Sequence, residues 1–136
     1  MSFAKNGKIA REFKSEKEKQ PDKNQILIST IKDYIQAHLS QNLTLTQLSD
    51  VVNYNSSYVS RIFRQETGMK LSDYITACRI ERAKELLRFT DDSIRNIASQ
   101  TGFDTIQYFS KVFRKATDMS PSEFRIQHVA ENSAND

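Results

Sequence analysis

Few side chains in this sequence carry the reactivity that catalysis needs. It holds two histidines, His38 and His128, and one cysteine, Cys78. No second His or Cys stands at ligand spacing from His38, and no Gly-rich phosphate loop or Ser/His/Asp arrangement is present. His38 falls on an apolar stripe at helical spacing and Cys78 among apolar positions, so both are expected as packing residues. No enzymatic activity, metal or cofactor is expected. What the chain does offer is positive charge and hydrogen bonding, concentrated in two places. Ser56, Ser57, Ser60, Arg61 and Arg64 share the outward face of one helical stretch. Thr105, Ile106, Gln107, Ser110, Lys111, Arg114 and Lys115 share that of another. Apart from Asp104 and the distal Glu66, acidic residues are absent from both faces. That sign bias suits an approach to phosphates. Short hydroxylated side chains at each helix start let the anion-favouring amides there come close. Arg and Gln are the fork-shaped groups that read guanine or adenine edges.

The two stretches are copies. Tyr58 to Tyr74, YVSRIFRQETGMKLSDY, aligns with Tyr108 to Phe124, YFSKVFRKATDMSPSEF, at a spacing of 50. A duplicated supersecondary unit follows. Two copies are too few, and the period too long, for a solenoid.

The elements that would position these faces are helical. In a chain of 136 residues, 38% apolar and 27% charged, the middle carries enough Ile, Leu, Val and Phe for small helical cores. The net charge of +3 is compatible with a nucleic-acid partner without arguing for one. A single cysteine rules out an intrachain disulfide and fits a reducing compartment. No apolar run reaches membrane-spanning length and no signal-peptide core opens the chain, so a soluble, cytoplasmic protein with no membrane partner is expected.

Residues 1–23 hold seven basic and four acidic side chains and read as a charged flexible arm or interdomain linker. A first unit is expected over 24–70. Leu27, Ile28, Ile31, Tyr34, Ile35, His38 and Leu39 line one helix face. Thr44 and Gln47 make a capping box for a short helix ending near Asn53. Tyr54 plugs the corner, Asn55 caps the next helix (about 56–66), and Val59, Ile62 and Phe63 face inward. Short helix, tight turn and second helix is helix-turn-helix grammar. A linking helix is expected over 71–89, with Tyr74, Ile75, Cys78, Ala83, Leu86 and Leu87 buried. Arg79, Arg82, Lys84 and Arg88, among Glu81 and Glu85, form its solvated side. The second unit, 90–128, repeats the logic. Ser93 caps one helix, Gly102 makes the corner, and Asp104 caps a helix over about 105–116 with Phe109, Val112 and Phe113 inward. Ser120 and Pro121 start a last helix. Residues 129–136 read as a disordered tail. The fold class is all-α: two helix-turn-helix subdomains on a long linking helix, about seven helices. At ~1.5 Å per residue that linker is roughly 28 Å long, near the ~34 Å between successive major grooves on one face of DNA. The relative orientation of the units is not readable from the pattern.

From about Ser40 to Arg125 the chain resembles the DNA-binding domain of the AraC/XylS family of bacterial transcription regulators. The likeness rests on the Tyr58-Val-Ser-Arg-Ile-Phe-Arg helix, the Thr67-Gly-Met break, and Arg79-Ile-Glu-Arg-Ala-Lys-Glu-Leu-Leu. Ile94-x-x-Ile-Ala, Gly102-Phe, Tyr108-Phe-x-x-Val-Phe-Arg-Lys and Met119-Ser-Pro-x-Glu-Phe-Arg complete it. The resemblance implies seven helices and binding to double-stranded promoter DNA by recognition helices in adjacent major grooves, with RNA polymerase as a further partner. By position it implies base contacts from Ser57, Ser60, Arg61, Ile106, Gln107 and Lys111. DNA-backbone contacts fall to Ser56, Arg64, Thr105, Ser110, Arg114 and Lys115. The chain departs from the family pattern at Ser49, where Ala is usual, and at Asn53 and Asp118, where Gly is usual. The first two loosen the first unit. Ile106 stands at a commonly polar position, and contact with a thymine methyl is the expected use. The Tyr54-Asn-Ser-Ser-Tyr-Val-Ser-Arg segment is similar to output domains of two-component response regulators, which implies an upstream receiver or sensor domain missing here. A small stand-alone regulator is the other possibility. From a different class, a helical protein-interaction module needs apolar anchors on its outward faces, which here are Ser, Gln, Arg and Lys.

Overall fold

Asp22 caps the first of the described helices. Its carboxylate accepts from Gln25 N at 2.8 Å, while Gln25 Oε1 accepts from Asp22 N at 3.0 Å. The computed structural model describes the backbone of residues 22–135 and the side chains of 22–129. Among these residues the chain is seven α-helices with no strand: α1 Lys23–Ala37, α2 Leu45–Val52, α3 Ser56–Thr67, α4 Leu71–Phe89, α5 Ile94–Gln100, α6 Ile106–Thr117 and α7 Pro121–Asn135. The charged arm falls outside the described residues except for its last two, which are the cap and first residue of α1. The Asp-x-x-Gln box moves that start one residue earlier than the apolar stripe alone indicates.

The caps read from the sequence form largely as expected. Thr44 and Gln47 make their reciprocal box, Asn55 Oδ1 accepts from Ser57 N and Tyr58 N, and Ser93 Oγ accepts from Asn96 N. Ser120 and Glu123 close a further box ahead of Pro121. Two of the expected boundaries are wrong. α6 is capped by Thr105, whose Oγ1 accepts from Tyr108 N at 3.0 Å, so Asp104 is a turn residue and Thr105 is not helical. The reason is one extra residue in the second corner. Tyr54 N bonds Ser49 O and Phe103 N bonds Ala98 O, an offset of 49, while the caps Asn55 and Thr105 are offset by 50. Of the expected disordered tail, residues 129–135 are the last turns of α7, which runs to Asn135, and Asp136 lies outside the described residues. Beyond Pro121 no Gly or Pro interrupts the chain, so a polar composition alone does not end the helix.

Two cores form, one per unit. Leu27, Ile28, Ile31, Ile35, Leu39, Leu48, Val59, Ile62 and Phe63 fill the first, joined by Leu71 and Ile75 of α4. Ile97, Ala98, Phe103, Phe109, Phe113 and Phe124 fill the second, joined by Ile80, Ala83 and Leu87 of α4. At about 100° per residue, Leu71 and Ile75 lie on one side of α4 and Ile80, Ala83 and Leu87 on another, roughly 130° around. The single buried side expected for this helix is therefore two. Tyr74, Cys78 and Leu86 are only half-buried, and Leu71 and Ile80 are the contributors missed. The low, smeared periodicity of a helix buried on two sides is what hid this.

Ser49, expected to loosen the first unit, sits in its interior. It is buried, and its Oγ is the buried side-chain polar atom among the described residues that finds no hydrogen-bond partner. Its counterpart in the second unit is Ala98. Ser49→Ala removes an unpaired hydroxyl and improves helix propensity, so a gain of about 1 kcal/mol is expected. A urea midpoint that fails to rise would show that the hydroxyl is satisfied.

Candidate nucleic-acid interface

α3 and α6 are held by matching devices. Val59, Ile62 and Phe63 anchor α3, and Phe109 and Phe113 anchor α6, with Val112 half-buried beside them. At the C-terminal ends, Thr67 Oγ1 donates to Phe63 O at 2.7 Å and Thr117 Oγ1 to Phe113 O at 2.9 Å. Each hydroxyl then accepts from the amide two residues on, Met69 or Met119. Gly68 and Asp118 take the left-handed conformation that ends the helix, with φ of 78° and 65°. Asn53 does the same at the first corner with φ 59°. Asn and Asp tolerate that region better than other non-Gly residues, which is how the chain dispenses with Gly at both places.

With one side locked inward, the opposite sides are fixed outward. Ser57, Ser60, Arg61 and Arg64 are exposed on α3, and Gln107, Lys111, Arg114 and Lys115 on α6. Thr105 is exposed as the cap. Ser56 and Ser110 are half-buried, and so is Ile106, which packs against the second core. Ile106 thus divides its surface between core and outer face. The Arg61 guanidinium sits 5.1 Å from the centre of the Tyr58 ring, and Tyr58 itself donates to Asn24 Oδ1 at 2.8 Å. That chain of contacts steadies Arg61 before any partner arrives. Arg114 is paired at 3.3 Å with Glu123, both well exposed. Bonds from the Ser120 backbone and hydroxyl hold Glu123 below its ordinary pKa, and Arg114 adds to this. An exposed pair of this kind is easily exchanged for another anion.

Residues named as packing behave as such. His38 stacks on Tyr34 with ring centres 3.9 Å apart, half-buried at the end of α1. Cys78 accepts from Gln36 Nε2 at 3.3 Å, and burial pushes its thiol above the ordinary value, the opposite of an activated thiolate.

Two acid-poor helix faces, each the second helix of a duplicated tight corner, match a family of known proteins. The family model described as a helix-turn-helix domain matches residues 48–127. Among solved structures, the C-terminal domain of AraT, a response regulator from Geobacillus stearothermophilus, superposes with a TM-score of 0.74 at 36% identity. The match covers 78% of this chain and 88% of that one. An AraC-type DNA-binding-domain transcriptional regulator from Chromobacterium violaceum gives 0.72 at 27% identity, over 76% and 93%. The chain belongs to the AraC-type helix-turn-helix family. It is all-α with two helix-turn-helix units, as that family is, and the family is one of DNA-binding transcription regulators. An uncharacterised HTH-type transcriptional regulator of Staphylococcus aureus (strain MSSA476) is 33% identical over 98 residues. That stretch is 72% of this chain but only 13% of the Staphylococcus protein.

Three further outward residues of this AraC-type domain were not named from the sequence. Gln65 is exposed on α3 at the register of Lys115 on α6. The Tyr108 ring, at the register of Tyr58, is 56% exposed on the flank of α6. Arg95, on α5, lines a notch with Ser99, Thr105 and Gln107 beside the start of α6. The helical register was enough to find Gln65. The exposure of Tyr108, whose ring lies 6.0 Å from that of Phe103, became visible only in the assembled second unit. Among the described residues no helix is long and apolar enough to cross a membrane.

Proposed function

We propose that α3 and α6 enter successive major grooves of promoter DNA, so that one chain reads about two helical turns. The observation that carries this is the duplicated pair of outward faces, free of acids where a groove wall would meet them, both mounted on the 19-residue helix α4. In this reading Ser57, Ser60, Arg61, Gln107 and Lys111 meet base edges, and the outer methyls of Ile106 meet a thymine methyl. Ser56, Arg64, Thr105, Ser110, Arg114 and Lys115 meet phosphates, with Arg114 leaving Glu123 to do so. RNA polymerase is the partner through which such binding alters transcription. The likeness to the C-terminal domain of a response regulator supports a role as the output domain of a longer, receiver-bearing protein.

Selection on randomised duplexes of about thirty base pairs at near-physiological salt tests the reading. Two conserved blocks one helical turn apart are expected. Arg61→Ala is expected to relax one base position, costing ~1–3 kcal/mol on the selected sequence. Arg114→Ala is expected to weaken all sequences alike. An unchanged preference in Arg61→Ala would remove α3's arginine from base reading. Affinity that stays flat between about 50 and 200 mM salt would favour a protein-binding module instead.

A further inference from the structure

Arg79 stands on α4 between the two buried sides of that helix. At about 100° per residue it falls between the Leu71/Ile75 side and the Ile80/Ala83/Leu87 side. It was expected on the solvated face, yet its guanidinium is committed to the first unit. Nε donates to Leu39 O at 3.2 Å and Nη2 to Gln41 O at 2.8 Å, just past the end of α1. Both carbonyls belong to the turn that follows the C-cap His38, so the fork fixes the chain where it leaves α1. The second unit rests on the same group. A Cβ added to Gly102 would strike Leu39 O and lie 2.7 Å from Arg79 Nε. The corner of the second helix-turn-helix is thus seated on the arginine that holds the end of α1. Only Phe103 and Asp104 separate this seat from Thr105, the cap of α6. Burial lowers the pKa of Arg79, Asp104 and Tyr108 oppose that shift, and a guanidinium stays charged throughout.

We propose that Arg79 is a positioning residue that locks the two reading heads to each other and so sets the operator spacing the chain accepts. α4 alone is a single strut, and long helices bend. A direct contact between the end of α1 and the second corner triangulates it. Lysine cannot reproduce the contact, because one ammonium does not present two donors in a fixed fork. Arg125 supplies the contrast. It makes the same two-carbonyl grip, Nε to Leu87 O at 3.1 Å and Nη2 to Thr90 O at 3.2 Å, but it ties α7 to the C-terminal end of α4, on the side of the second core. Its loss weakens that unit without freeing the heads from each other.

The inference rests on the two-headed reading, and the experiment separates the two. With Cys78→Ala as background, spin labels on Glu66→Cys and Ala116→Cys report the distance between α3 and α6 without DNA. Both positions are exposed and neither is among the proposed contacts. A narrow distance distribution is expected for the parent and for Arg125→Ala, and one at least about twofold broader for Arg79→Ala. The same proteins are then taken through the randomised-duplex selection. Arg79→Ala is expected to keep both base blocks, tolerate several spacings between them, and bind the parent's full site about tenfold more weakly while single-block duplexes are bound as before. If Arg79→Ala loses helical circular dichroism, Arg79→Lys carries the same comparison. A distance distribution and block spacing unchanged from the parent overturn the proposal. A parent that selects a single block overturns the two-headed reading, and the label distances then decide the clamp by themselves.

Discussion

Phe113→Ala is expected to lower the free energy of unfolding by about 3–5 kcal/mol. Phe113 is fully buried in the middle of an aromatic chain running from Phe103 through Phe109 and Phe113 to Phe124. Its ring meets Phe109 at 5.7 Å and Phe124 at 5.3 Å, both edge-on, the arrangement that adds to plain area burial. Truncation leaves a hole bounded by α4, α5, α6 and α7, and helices tied by short corners have little freedom to collapse into it. Domains of this size have ~5–15 kcal/mol in all, so the loss is a large share. Because the cores are separate, the second unit should melt first, with hydrogen exchange accelerating in α5 to α7 ahead of α1 to α3. Urea unfolding followed by circular dichroism gives the magnitude. A loss below about 1 kcal/mol would mean the aromatic chain repacks around the gap.

Gly102→Ala is expected to cost about 2–4 kcal/mol, from a strained backbone and a collision together. The residue has φ 87°, and its missing Cβ leaves room for Leu39 O and the Arg79 guanidinium. Gly68 separates the two causes. It has a similar φ of 78°, but a Cβ there meets nothing within 4 Å. Gly68→Ala should therefore cost only ~1 kcal/mol, the left-handed penalty by itself. Asn53 and Asp118 already adopt such angles, so the fold tolerates that penalty where space allows. The comparison is made by parallel urea titrations of the two variants. Equal losses would show that the seat beneath Gly102 yields, and would weaken the case for a rigid contact between the units.

What the amino-acid order determined by itself is everything that depends on neighbours a few residues apart. Caps at Thr44, Asn55, Ser93 and Ser120, the left-handed corner at Asn53 and the inward Val59, Ile62 and Phe63 all follow from local hydrogen bonding and helical register. The duplication reinforced them, because each unit predicts the other. At its spacing of 50 the repeat maps the cap Asn55 onto Thr105; placing the cap at Asp104 followed residue type instead, and Asp104 is the extra residue of the second corner. An overly literal equation of polarity with disorder likewise ended α7 too soon.

Only the tertiary structure decided how the two units face each other. Arg79 looks like one more surface charge until α1 ends beneath it and Gly102 closes over it. The same holds for Ile106, whose half-burial depends on a core assembled from four helices, and for Tyr58, whose hydroxyl finds Asn24 34 residues away. The physical reason is common to all of these. A helix exposes its own periodicity in its own residues, but a side chain's partner across space is set by how helices cross. On α4, the two units' claims fall on different sides and cancel in the pattern that a sequence displays.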